Sequence, residues 1–148
     1  MTTLSFETAA DIVRHAIAGP RSEPGRYVAV AVCDAGGHPM ALGREANAAP
    51  LRAHIAQAKA ATCIALGQPT RRIMDGAIGH ETWFESVSKV ADAKMGSPLI
   101  FSLGGVVIQD EDGAVLGAVG VAGEQGEQDE RLAILGIESV GLVANANG

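Results

Sequence analysis

A chain of 148 residues with 47% hydrophobic and 19% charged side chains can build one core and is too apolar to stay disordered. Its net charge of −6 excludes the clustered positive field of a nucleic-acid surface, and no apolar run reaches the ~18 residues of a membrane span. Aromatics are only 3% while glycine numbers 19, so the elements must approach one another through small side chains. The opening Met1-Thr2-Thr3-Leu4-Ser5-Phe6-Glu7 lacks the basic start and apolar stretch of a signal peptide. Cys33 and Cys63 make no disulfide framework. These features lead us to expect a soluble, cytoplasmic, single-domain protein over residues 1–148.

The first element reads as a helix over Phe6–Ala18. Ser5 caps it, Glu7 and Asp11 suit its positive end, and Gly19-Pro20 stops it. Tyr27–Cys33 is a continuous run of β-branched and small residues, read as a covered strand. Val28, Val30 and Val32 point one way, and Ala29, Ala31 and Cys33 the other, so a helix can lie close to the small face. Asp34-Ala35-Gly36-Gly37 is a turn, and His38–Gly43 the returning strand. Pro50 opens an Ala-rich helix over Leu51–Leu66.

Residues 70–96 form a covering segment with short helices near 70–78 and 80–92, holding Met74, Trp83, Phe84 and Met95. Pro98–Ser102, Gly105–Gln109 and Val115–Ala122 are read as strands, the last two joined by the turn Asp110–Gly113. Glu124–Asp129 begin a final helix that runs to about Val143. Leu132, Leu135, Ile137 and Val140 make it broadly apolar, which points to a subunit contact. The order α-β-β-α-(α)-β-β-β-α predicts an α/β (α+β) domain: a central five-stranded antiparallel sheet with helices packed on it.

Several chemistries are excluded by spacing. His15, His38, His54 and His80 form no His-x-x-x-His pair, and the cysteines no Cys-x-x-Cys, so a structural zinc is not expected. Gly117-Ala118-Val119-Gly120-Val121-Ala122-Gly123 is not a dinucleotide fingerprint, no P-loop is present, and no Gly-x-Ser-x-Gly elbow occurs. Gly117 and Gly120 either let another element pack on the strand or leave room for a flat ligand. His38, at a strand entrance, can ligate iron, shuttle a proton, or simply bond the turn backbone. Arg44 and Lys59 are candidates for anion recognition. A solvated face is the plainer reading, and it is weaker for Lys59, which has few charges around it.

Asp34-Ala35-Gly36-Gly37-His38, Arg44, Ala58-Lys59-Ala60-x-Thr62, Gly104-Gly105-Val106-x-Ile108, Gly117-Ala118-Val119-Gly120-Val121-x-Gly123 and Asp129 occur in that order. Together they resemble the GlcG/HbpS family, the haem-degrading or DUF336 domains related to the C-terminal domain of PduO-type proteins. The resemblance spans about residues 5–143. It implies an antiparallel α/β domain assembled into homo-oligomers, with His38, Arg44, Lys59 and Thr62 lining or flanking a site. Gly104, Gly105, Gly120 and Gly123 would shape its floor, and Asp129 would stand at the last helix. Three positions depart from the family pattern: Ala46 replaces an acidic residue, Val107 a proline and Ala122 a serine.

The first functional reading is a haem or other tetrapyrrole binder of this type, haem-degrading or redox-sensing. Its porphyrin would lie between the sheet and segment 70–96, against Trp83, Phe84 and methionines. Arg44 or Lys59 would pair the propionates and His38 would be the axial metal ligand. The second is a cofactor-free isomerase, tautomerase or hydrolase acting on a small carboxylic acid of aromatic or glycolate catabolism. Arg44 and Lys59 would hold carboxylates there while His38 or Asp129 moves a proton. A third is a non-catalytic assembly or sensor module. The first two readings place His38, Arg44 and Lys59 in one notch at the rim of the sheet.

Overall fold

Side-chain size alternates along the central strands, and that alternation fixes the layers. A computed structural model describes residues 3–148. Along β1 (Ala29–Asp34), Val30 and Val32, with Val28 just before them, join the main core, while Ala29, Ala31 and Cys33 turn to the opposite face. The neighbouring β4 (Val115–Ala122) repeats the pattern in register, with Ala31 opposite Gly120 and Val32 opposite Val119. β2 (Pro39–Arg44), β3 (Gly105–Gln109) and β5 (Val143–Asn145) complete a five-stranded sheet in the order β2-β1-β4-β3-β5, antiparallel throughout. The expected architecture is found.

On the branched face lie α1 (Phe6–Ala18) and α5 (Gly126–Ser139). Ser5 caps α1 as expected, its Oγ accepting from Thr8 N–H at 3.1 Å. Ile12, Val13, Leu132 and Ile137 interlock there with the strand valines. A Cβ on Gly136 would stand 2.7 Å from the Ile12 carbonyl, so α5 rests almost on the backbone of α1. The broad apolar surface of α5 is therefore taken up largely within the chain, by α1 and the sheet.

The small face carries α2 (Leu51–Leu66), seated through Ala56, Ala60 and Cys63. A Cβ on Gly120 would collide with the Ala56 carbonyl, and one on Gly105 would lie 3.0 Å from the Lys59 carbonyl. Helix and sheet thus meet backbone to backbone at these glycines. α3 (Thr70–Ala77) and α4 (Glu81–Met95) form the covering segment. Phe84, Ala91, Ile73, Ala77 and Leu99 make its own small core.

Two assignments are corrected. Pro98–Ser102 is not a strand. Leu99 N–H donates to Ser88 Oγ at 3.0 Å and Ile100 N–H to Thr62 Oγ1 at 2.9 Å, so side-chain hydroxyls take the donors a ladder would use. The fifth strand instead comes from the expected end of the last helix. α5 stops at Ser139, the chain turns at Gly141 with φ of 79°, and Asn145 aligns with Val107. Among the described residues no helix is long and apolar enough to cross a membrane.

Candidate functional site

α2 is apolar on two sides. Ala56, Ala60 and Cys63 face the sheet, while Leu51, His54, Ile55, Ala58 and Ala61 recur at helical spacing on another flank. That flank floors a groove of about 470 Å³, walled by Ala31–Cys33 and Pro39 on one side and by Met95–Pro98 and Ile100 on the other. A second hollow of about 310 Å³ adjoins it, sharing Gly37, Ala61, Met95 and Ser97 and adding His38, Thr62 and Lys94. Apolar walls with a few convergent polar groups are the usual make-up of a small-molecule site.

His38 is set by its turn. Asp34 Oδ1 accepts from Gly36 N–H at 2.9 Å and from His38 N–H at 3.0 Å, and Gly37 takes φ of 82°. The His38 Nδ1 lies 3.2 Å from the same oxygen, and no described residue engages its Nε2. Desolvation would raise the Asp34 carboxyl, but the backbone N–H bonds and the imidazole hold it below its ordinary value. An imidazole steadied at Nδ1 by a carboxylate presents Nε2 as the ligating or proton-carrying atom.

Lys59 and Asp129 meet elsewhere. Lys59 Nζ donates to Val121 O at 2.7 Å and to Asp129 Oδ2 at 3.2 Å, both side chains buried. Asp129 Oδ1 accepts from Glu124 N–H at 2.9 Å, which ties the start of α5 to β4 and α2. Burial lowers the Lys59 ammonium despite Asp129, and burial raises the Asp129 carboxyl to about 6 against the pull of Lys59. Gly104, at φ of 123°, leaves this space open: a Cβ there would be 2.9 Å from Lys59 Nζ and 3.0 Å from Asp129 Cβ. Gly105 and Gly120 admit α2 beside it, and Gly123 passes against the Tyr27 carbonyl. The groove and the hollow beside it do not reach Lys59 or Asp129.

The remaining candidates stand apart. Arg44 lies at the far end of β2 from the His38 turn, its Nη1 donating to Ala48 O at 2.6 Å and so closing the loop after the strand. Trp83 is exposed on α4, edge-on to Phe84 at 6.0 Å, and lines neither hollow. Phe84 is buried in the covering segment's own core. His38, Arg44 and Lys59 therefore occupy three places rather than one notch. The structure groups Lys59, Asp129, Gly104, Gly105 and Gly120 at a packing junction, and His38 with Thr62 at the hollow. Sequence reasoning missed His54 and Lys94 as site residues. His54 carried a signal, since it shares the helical stripe of Leu51, Ile55 and Ala58; Lys94 carried none. Cys33 also borders the groove, and burial pushes its thiol up to about 11, which keeps it protonated.

The sequence profile of the family described as haem-degrading protein HbpS-like matches residues 4–138. The chain belongs to the HbpS-like family. It is 42% identical over 95 residues to the protein GlcG of Escherichia coli K12, a match covering 64% of this chain and 63% of GlcG. The chain thus spans less than two thirds of that curated relative. Among solved structures, a double mutant of Streptomyces reticuli HbpS superposes with a TM-score of 0.75 at 28% identity, over 94% of this chain and 88% of that one. A PduOC–haem complex superposes with a TM-score of 0.79 at 22% identity, over 97% and 99% of the two chains, and shares the fold.

Proposed function

We propose that this HbpS-like protein binds haem, or a tetrapyrrole of the same shape, in the joined hollows beside α2. The observation that carries the reading is an apolar groove adjoined by a smaller hollow that His38 lines, its ring held at Nδ1 by Asp34. A flat apolar macrocycle needs a desolvated floor, a nitrogen or thioether ligand, and a cation for its carboxylates. The groove offers Ile55, Ala58, Ala61, Pro98 and Ile100 as floor and wall. His38 and His54 supply imidazoles, Met95 a thioether and Lys94 an ammonium. The residues fit the group.

Bound haem would supply one-electron and oxygen chemistry at its iron. The chain's own part is to hold His38 Nε2 outward through the Nδ1 contact with Asp34 and to keep water from the macrocycle faces. Lys94 takes the carboxylate-binding role, because Arg44 is spent on loop carbonyls and Lys59 is sealed under α2. The family description and the haem of the PduOC complex support this reading. Haem degradation is the activity that the family description favours for the loaded protein. Assembly into a homo-oligomer belongs to the same proposal, and exposed Ile78, Trp83 and Val90 supply apolar surface for it.

Titration of the ligand-free chain with hemin tests the site. The expected result is a saturable Soret shift, with affinity reduced about tenfold or more in His38→Ala, the cost of one lost strong ligand contact. A spectrum that is only the sum of hemin and protein contradicts it.

A further inference from the structure

The outer wall of the groove is weakly built. α4 buries only Phe84 and Ala91, and the strap that follows it, Gly96–Phe101, joins no sheet. Two hydroxyls from different helices hold the strap instead. Ser88 Oγ of α4 accepts from Leu99 N–H at 3.0 Å and donates to Leu99 O at 3.4 Å. Thr62 Oγ1 of α2 donates to Ala58 O at 2.7 Å and accepts from Ile100 N–H at 2.9 Å.

Thr62 is 1% exposed; its bond to Ala58 is buried and its bond to Ile100 half-buried. Its proton is fixed by the Ala58 carbonyl, so a lone pair is presented to the strap in one orientation. A valine would keep the shape, lose both bonds and strand the Ile100 N–H. Both strap residues so held border a hollow: Ile100 the larger and Leu99 the smaller. Thr62 thus ties the strap to α2, the floor of the groove, and Ser88 ties it to α4.

We propose that Thr62 and Ser88 are positioning residues that pin the strap across the groove and so govern how long a flat ligand is retained. The proposal rests on the groove reading above, and two measurements separate the two ideas. Native-state amide exchange on the ligand-free chain reads the strap alone; hemin transfer to a high-affinity acceptor protein reads retention. Leu99 and Ile100 amides should be protected, and Thr62→Val should speed exchange at Ile100 and hemin loss by about tenfold each. Thr62→Ser should restore both. Ser88→Ala, on a lightly packed helix, should act in the same way at Leu99. Exchange and hemin loss unchanged by Thr62→Val and Ser88→Ala overturn the pinning. Wild-type protein that takes up no hemin while Thr62→Val still frees the Ile100 amide overturns the reading of the groove and upholds the pinning.

Discussion

Lys59 is the residue at which composition and chemistry diverge most. An ammonium in an Ala-rich helix with few charges around it sits poorly with a solvated face, and the structure gives it a buried partner in Asp129 and a carbonyl in Val121. With Asp129 raised to about 6 from an ordinary value of 3.8, the folded chain holds this proton more tightly than the unfolded one. The stability it contributes is fully present below pH 3.8 and is lost as pH rises through about 6. Asp34 and Glu124, both held below their ordinary values, act with the opposite sign on the acid side. Asp129→Asn should therefore remove the falling component between those two pH values. Urea unfolding of both proteins from pH 4 to 7 checks it, and parallel pH profiles would contradict it. That Lys59 stands out was legible from its surroundings in the sequence. That it faces Asp129, seventy positions away, was not, because only the packing of α2 against β4 brings the two together.

Elements whose residues alternate or recur cleanly were legible. The valine and alanine faces of β1 predicted which side would take the tight helix, and α2 begins and ends where its Ala-rich run does. Pro98–Ser102 failed because hydroxyls of Thr62 and Ser88, distant in sequence, capture its amides. β5 failed because three residues after Gly141 carry too little pattern to register as a strand. The element-scale consequence of close packing is severe at Gly120. An added methyl there has no room against Ala56 O and Ala60 N, so α2 must lift from the sheet. Gly120→Ala should destabilise the fold by about 3 kcal/mol, the upper part of the usual overpacking range. A midpoint in urea within experimental error of wild type would show that the helix does not ride on that glycine.

At the scale of the molecule, two large-residue helices cover one face of the sheet and a single small-residue helix covers the other. The antiparallel sheet with helices packed on it was legible from the order of elements. The strings that carry the family resemblance divide between a buried junction at Lys59–Asp129 and the smaller hollow at His38. Small residues on α2 serve both ends, seating the helix on the sheet and leaving its outer flank low enough to form a hollow. Ala61 borders both hollows and is only partly covered, so a larger side chain there fills the groove without disturbing the core. Hemin titration of Ala61→Phe, alongside thermal unfolding, is the most direct check on this account. We expect wild-type unfolding behaviour with hemin uptake abolished. A folded Ala61→Phe protein that binds hemin as wild type does would place the ligand elsewhere and contradict it.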